Sequence, residues 1–120
     1  MKNEFNCILC IVNNGFSETA MDAAKACGAR GGTILHGRGT ISKEAEKFFN
    51  ITVQPEKEIV MILVDEKIKD NILKALYNAV GTNTPAQGIA FSLPVDDVVG
   101  IDKELPKIEE KKEIKEQKNG

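Results

Sequence analysis

The residues best suited to holding an anion lie in one stretch, Cys27-Gly28-Ala29-Arg30-Gly31-Gly32-Thr33-Ile34-Leu35-His36-Gly37-Arg38-Gly39, where five glycines surround two arginines. Glycine lets the backbone take positive φ or come close to a ligand. Bare N–H groups beside a guanidinium suit the oxygens of a phosphate. A second segment, Gly81-Thr82-Asn83-Thr84-Pro85-Ala86-Gln87-Gly88, offers backbone of the same kind. The competing reading is a pair of glycine turns beside a solvated arginine, and residue types alone leave both open.

Other chemistries fit less well. Cys7 and Cys10 have C-x-x-C spacing, but on a strand residues three apart point to opposite faces, so the thiols cannot converge on a metal or a disulfide. His36 is the single histidine, and one imidazole without partners makes no zinc site. It could carry a proton at a strand end, or simply pack at the mouth of a loop. No G-x-S-x-G elbow, H-E-x-x-H or Walker A pattern occurs. The acid pairs Asp96-Asp97 and Glu109-Glu110 are adjacent residues and do not face each other as a catalytic dyad would.

The 120 residues, 42% apolar and 28% charged, are the size and composition of one globular domain. A net charge of −2 gives no electrostatic footprint for nucleic acid. Three irregularly spaced cysteines do not make a disulfide scaffold, and the run Phe5 to Val12 is too short for a signal peptide or a membrane span. A cytoplasmic protein is expected.

Phe5 to Val12 reads as a strand closed by Asn13-Asn14-Gly15, and Ser17 is placed to cap a helix running to about Cys27, with Gly28 at its C-terminal stop. Gly32 to Gly37 is a second, short strand. Arg38 to Gln54 forms a long excursion, in which Ser42 could start a short helix reaching Phe49. Glu58 to Val64 is the clearest strand. Asp65 caps a helix with Ile68, Ile72, Leu76 and Ala79 on one stripe, ended by Gly81. Gly88 to Leu93 alternates as a last strand stopped by Pro94. The order βαββαβ is that of the ferredoxin-like split βαβ fold, an α+β domain with an antiparallel four-stranded sheet and two helices on one face. This domain is expected over residues 1–101, followed by a charged tail over 102–120.

Two of the strands are apolar on both faces, yet right-handed crossovers put both helices on the same side. The other side would expose more apolar surface than a monomer tolerates. A closed homo-oligomer is the expected remedy.

Gly15-Phe16, then Ala23-Ala24-Lys25-Ala26-Cys27-Gly28-Ala29-Arg30-Gly31-Gly32-Thr33-Ile34, then Glu58-Ile59-Val60 and Gly81-Thr82 resemble the P-II nitrogen-regulatory protein superfamily, over residues 5–101. The resemblance implies a homotrimer that binds adenine nucleotides in clefts between subunits and moves a long T-loop against a transporter, enzyme or transcription factor. That loop would be Arg38 to Gln54. By position, Thr33 matches a threonine of the nucleotide site, Gly37, Arg38 and Gly39 stand at the base of the T-loop, and Gly81 to Gly88 matches the phosphate-binding B-loop. The family's Gly-Asp-Gly-Lys in the B-loop is replaced here by Pro85-Ala86-Gln87-Gly88, and its strand-end arginines fall on Val99 and Ile101. Coulombic support for a triphosphate is thereby reduced. The 38–54 loop has no tyrosine, since Tyr77 lies in the second helix, so uridylylation is excluded.

The implied protein is a P-II-like signal-transduction protein, not an enzyme, sensing AMP or ADP through Thr33, Gly37, Arg38, Gly39, Gln87 and Gly88. Arg38 would donate to phosphate, and Gln87 would replace part of the missing lysine by neutral hydrogen bonds. Residues 38–54 would regulate a membrane transporter or metabolic enzyme, with Ser42 to Phe49 as the contact surface. Neither a metal nor a cofactor beyond that effector is expected. The alternatives are a small cleft enzyme acting on a nucleotide, with His36 or Glu44 as base, and an adaptor that takes no small ligand.

Overall fold

The computed structural model describes residues 4–49 and 54–101, so residues 50–53 of the expected moving loop and the whole 102–120 tail lie outside the described residues. The strands are β1 (Phe5–Asn13), β2 (Thr33–Arg38), β3 (Glu56–Asp65) and β4 (Ile89–Val95), and the helices are α1 (Ser17–Ala26), α2 (Lys43–Phe49) and α3 (Lys69–Val80). The strands form one antiparallel sheet in the order β2-β3-β1-β4, the ferredoxin-like arrangement. The short α2 is an insertion between β2 and β3, and the Ser42 hydroxyl accepts from the Ala45 N–H at 3.0 Å at its start.

The alternation of the strands decides which side is covered. Ile8, Cys10 and Val12 of β1 and Val60, Ile62 and Val64 of β3 point to one face, where they pack with Ala20, Met21 and Ala24 of α1 and Ile72, Leu76 and Val80 of α3. This is the core. Its removal from water supplies the stability of the domain, at about 1.5–3 kcal/mol for each large side chain fully buried.

The ends of the elements follow local chemistry. After α1 the Ala29 and Gly28 N–H groups donate to the Ala24 and Lys25 carbonyls, at 3.1 and 3.0 Å, with Gly28 at φ +109°. That is a Schellman stop, which needs a left-handed residue at Gly28. At the other end of α1, Ser17 is the first helical residue and not the cap, and no capping bond comes from Phe16. The carboxylate of Glu58, on β3, takes that role instead, which local sequence could not show because the partner is remote in the chain. Asp65 does cap as its position suggests, accepting from the Lys67 N–H at 2.8 Å to open a 3-10 turn (Glu66–Ile68) that leads into α3.

The last strand runs through Pro94 to Val95, with Pro94 opposite Asn6. It does not stop at Leu93 because β4 is an edge strand, where a residue without an N–H costs no ladder bond if it faces outward.

Candidate functional site

The uncovered face of the sheet is built in rows, since residues directly opposite across antiparallel strands share a face. Register places Leu35, Ile59, Ile11 and Ile89 in one row, Thr33, Met61, Leu9 and Phe91 in the next, and Leu63, Cys7 and Leu93 in a third. Of these, Leu35, Met61, Ile89, Phe91 and Leu93 are 37% to 53% exposed. Exposed apolar faces of this width are found chiefly where a protein meets another surface.

At one end the apolar rows give way to a polar one. Gly37 is opposite Lys57 and Lys57 is opposite Asn13, and the Asn13 N–H donates to the Ala86 carbonyl at 2.9 Å, which brings the turn before β4, Gln87 included, beside Asn13. The side chains are joined. Lys57 Nζ donates to Asn13 Oδ1 at 2.7 Å, while Asn13 Nδ2 donates to the Pro85 carbonyl at 3.0 Å and reaches Gln87 Oε1 at 3.4 Å. The excursion after β2 and the turn before β4 both leave the sheet at this end, so the row spans the gap between them.

Five of the six residues singled out from sequence lie at this end of the sheet, but only Gly37 and Gln87 belong to the polar row: Arg38, opposite Glu56, alternates onto the helix side with His36, and Gly88 packs on Val12. Gly37, Arg38 and Gly39 are on the β2 edge, and Gln87 and Gly88 are on the β4 edge, three strand spacings or about 14 Å away. Thr33 begins β2, four residues from Gly37 and therefore about 13 Å along the strand. It borders a separate groove of about 660 Å³ with Arg30, Met61, Leu63 and Asp97. One chain by itself does not close these six positions around a small molecule.

The glycines do not present free donors. Gly39 N–H donates to the Pro55 carbonyl at 2.7 Å, Gly88 N–H to the Val80 carbonyl at 2.7 Å, and Gln87 N–H to the Thr84 carbonyl at 2.9 Å. Packing accounts for Gly88, where a Cβ would lie 2.4 Å from the Val80 carbonyl oxygen and 2.9 Å from Val12 Cγ1. At Gly39 a Cβ would lie 2.8 Å from Lys57 Cε, so the missing side chain makes room for the lysine stem. The 81–88 turn is closed on itself as well, with the Thr84 hydroxyl donating to the Gly81 carbonyl at 2.8 Å.

What the site offers an anion is therefore carried by side chains. Arg38 is exposed and borders a shallow space of about 200 Å³ with Thr40, Ile41 and Glu46. Lys57 is half-buried, and among the described residues no carboxylate stands within ion-pair distance of it. Gln87 has φ +47°, the single non-glycine at positive φ among the described residues. Such strain gathers at functional positions. Lys57 and Asn13 were missed in the sequence because they read as the edges of a strand and a turn. Their equal reach from the ends of two adjacent strands was the available signal, and it required the register.

The other titratable groups lie elsewhere. His36 is opposite Glu58 on the helix side of the sheet, away from the polar row. Glu58 accepts from the Gly15 and Ser17 N–H groups at 2.9 and 3.0 Å. Burial raises its pKa, but the Ser17 backbone and hydroxyl, the Gly15 N–H and nearby His36 outweigh that, and its carboxyl is held below the ordinary 4.5. Cys7 belongs to the open face and Cys10 to the core, where burial pushes the thiol up to about 11. They do not converge. Among the described residues no group of three His, Cys, Asp or Glu could hold a metal, and no helix is long and apolar enough to cross a membrane. An apolar cavity of about 290 Å³ lies between α3 and β4, bordered by Leu73, Tyr77, Gly81, Gly88 and Ile89.

A family model described as Nitrogen regulatory protein P-II matches residues 5–104. Among solved structures, the chain is similar to PII of Arabidopsis thaliana bound to citrate, with 22% identity, TM-score 0.63, and coverage of 83% of this chain and 82% of that one. It is also similar to a functionally unknown protein from Pediococcus pentosaceus, at 17% identity and TM-score 0.60, over 83% of this chain and 100% of that one. A PII-like signaling protein of Thermus thermophilus matches at 18% identity and TM-score 0.57, over 78% and 87% of the two chains.

Proposed function

This chain belongs to the nitrogen regulatory protein P-II family, and on that premise we propose that it senses a small anionic effector, AMP or ADP, in clefts between its subunits. The family consists of signalling regulators, and the finer reading rests on the geometry of the sheet end. One observation carries it: the polar row Gly37, Lys57, Asn13 and Gln87 closes an otherwise apolar sheet face beside both loops. In a closed ring of identical chains that cover their apolar faces, an arrangement with the β2 edge of one chain beside the β4 edge of the next completes the site. Arg38 from one subunit and Gln87 from its neighbour then approach a shared ligand, which a single chain keeps about 14 Å apart.

Ligand size follows from the charge available. With Pro85-Ala86-Gln87-Gly88 in the turn, no cation comes from the β4 side, so a mono- or diphosphate is favoured over a triphosphate. The 38–54 segment leaves the sheet at Arg38, and a change in how Arg38 and Gly39 are held is passed directly to it. Through that segment, with α2 as its contact surface, the protein regulates a transporter or a metabolic enzyme.

Calorimetric titration of AMP, ADP and ATP into the full chain tests the reading. Saturable heat with AMP or ADP, a weaker response to ATP, and a melting temperature that rises with ligand are the expected results. No heat with any of the three, together with an unmoved melting temperature, removes the nucleotide. Citrate, which the Arabidopsis protein is described as binding, serves as a nucleotide-free anion in the same titration.

A further inference from the structure

We propose that the cavity between α3 and β4 is a binding site for a small uncharged ring compound, separate from the polar row. Its space is about 290 Å³. Packed interiors leave few voids wider than a water molecule. An apolar void of about 150 Å³ takes up benzene, so this one suits a ring system of about ten non-hydrogen atoms. None of its lining residues is charged, which disfavours a phosphate and sets the cavity apart from the sheet end.

Side-chain sizes open the space. Leu76 and Val80 of α3 and Cys10 of β1, each at most 1% exposed, make its floor. Burial pushes the Cys10 thiol up to about 11, so the floor stays uncharged at neutral pH. Farther out, the register sets Ala90 opposite Cys10 and Ser92 opposite Ile8, and β4 thereby turns small residues toward α3 along this stretch. Leu73 and Ala90, both partly buried, form the walls. The mouth is amphipathic. Tyr77 and Ile89, 60% and 53% exposed, stand there with exposed Thr82, and Tyr77 and Thr82 supply the two hydroxyls of the lining, enough to orient one polar group of a ligand.

The backbone around the cavity is fixed within the chain. Gly81 N–H donates to the Tyr77 carbonyl at 3.0 Å and Gly88 N–H to the Val80 carbonyl at 2.7 Å, which ties both ends of the 81–88 turn to the end of α3. A Cβ at Gly88 would lie 2.4 Å from the Val80 carbonyl oxygen, so the turn has no slack there. A compound lodged against Tyr77, Val80 and Gly88 therefore bears on the turn that carries Gln87. On the reading above that Gln87 belongs to the nucleotide cleft, occupancy of the cavity changes nucleotide affinity, and nucleotide changes affinity for the compound by the same factor.

Indole and its carboxylate derivative, titrated separately into the ¹⁵N-labelled full chain, test this through the backbone amide resonances. Indole should give saturable shifts on Tyr77, Gly81, Ile89 and Ala90, and the carboxylate should bind at least about tenfold more weakly. Ala90→Leu, which fills the space, should abolish the indole shifts and leave the melting temperature unchanged or higher. Should Ala90→Leu fail to fold by circular dichroism, Leu73→Phe takes its place with the same expectation. With indole at saturation, ADP affinity measured by calorimetry should change by about fivefold or more. The site is overturned by the absence of saturable shifts, which a cavity filled by a second copy of the chain would also give, by shifts that survive the filling variant, or by shifts spread over Leu35, Met61 and Phe91 of the open face. Indole binding with unchanged ADP affinity upholds the cavity and overturns its link to the turn. Indole binding without any ADP binding upholds the cavity and overturns the nucleotide reading, and ADP binding without indole binding does the reverse.

Discussion

Replacing Glu58 by glutamine separates its charge from its shape, and the effect should depend on pH. Glu58 accepts the Gly15 and Ser17 N–H groups at 2.9 and 3.0 Å and stands at the N-terminus of α1, where the helix dipole favours an anion. A hydrogen bond to a charged partner contributes about 1.5–3 kcal/mol and one between neutral groups about 0.5–1.5. The amide keeps one acceptor and loses the charge, so Glu58→Gln should cost about 1–2 kcal/mol at neutral pH. For a domain of this size that lowers the melting temperature by about 5–15 °C. Glu58→Ala, which leaves both N–H groups unmet, should cost more. Because the folded carboxyl is held below its ordinary value of 4.5, the charge stabilises fully above that value and its contribution fades as pH falls through the folded pKa. Melting curves by circular dichroism from pH 7 down to pH 3 should therefore show the gap between wild type and Glu58→Gln narrowing below about pH 4.5. Equal melting temperatures at pH 7, or a gap that persists undiminished in acid, would refute the capping argument.

Three further outcomes follow from the same geometry. Met61→Asp puts a charge in the middle of the apolar face, and sedimentation equilibrium should show it shifting a wild-type oligomer to monomer; a monomeric wild type at micromolar concentration contradicts the interface. Gly88→Ala drives a Cβ into the Val80 carbonyl and Val12 and should destabilise by about 1–3 kcal/mol, read as a drop in melting temperature with no ligand present. Gln87→Gly relieves a left-handed residue and should raise stability by up to about 1 kcal/mol while weakening ADP binding; a loss of stability would show that the side chain, not the strain, dominates there.

Much of the architecture was open to local reasoning, because the elements carry their own signals. The unbroken apolar alternation of Glu58 to Val64, the Gly28 stop after α1 and the Asp65 cap each act over a few residues, and the structure has all three. Pro94 and Ser17 were read locally and settled by their surroundings: an edge position admits the proline, and Glu58, 41 residues away, supplies the cap. The site was harder for the same reason. Arg38 and the glycines announce themselves by type, but Lys57 and Asn13 are ordinary residues until the pairing of β1 with β3 sets one beside the other. Gly88, which looked like room for a ligand, is needed by the packing of β1 and α3.

The location of the ligand site is best tested by titrating ADP into the ¹⁵N-labelled full chain and following its backbone amide resonances. The largest shifts are expected on Asn13, Gly37, Arg38, Gly39, Lys57, Gln87 and Gly88, at one end of the sheet. Shifts centred instead on Tyr77, Ile89 and Ala90, around the cavity between α3 and β4, or no shifts at saturating ADP, would contradict it.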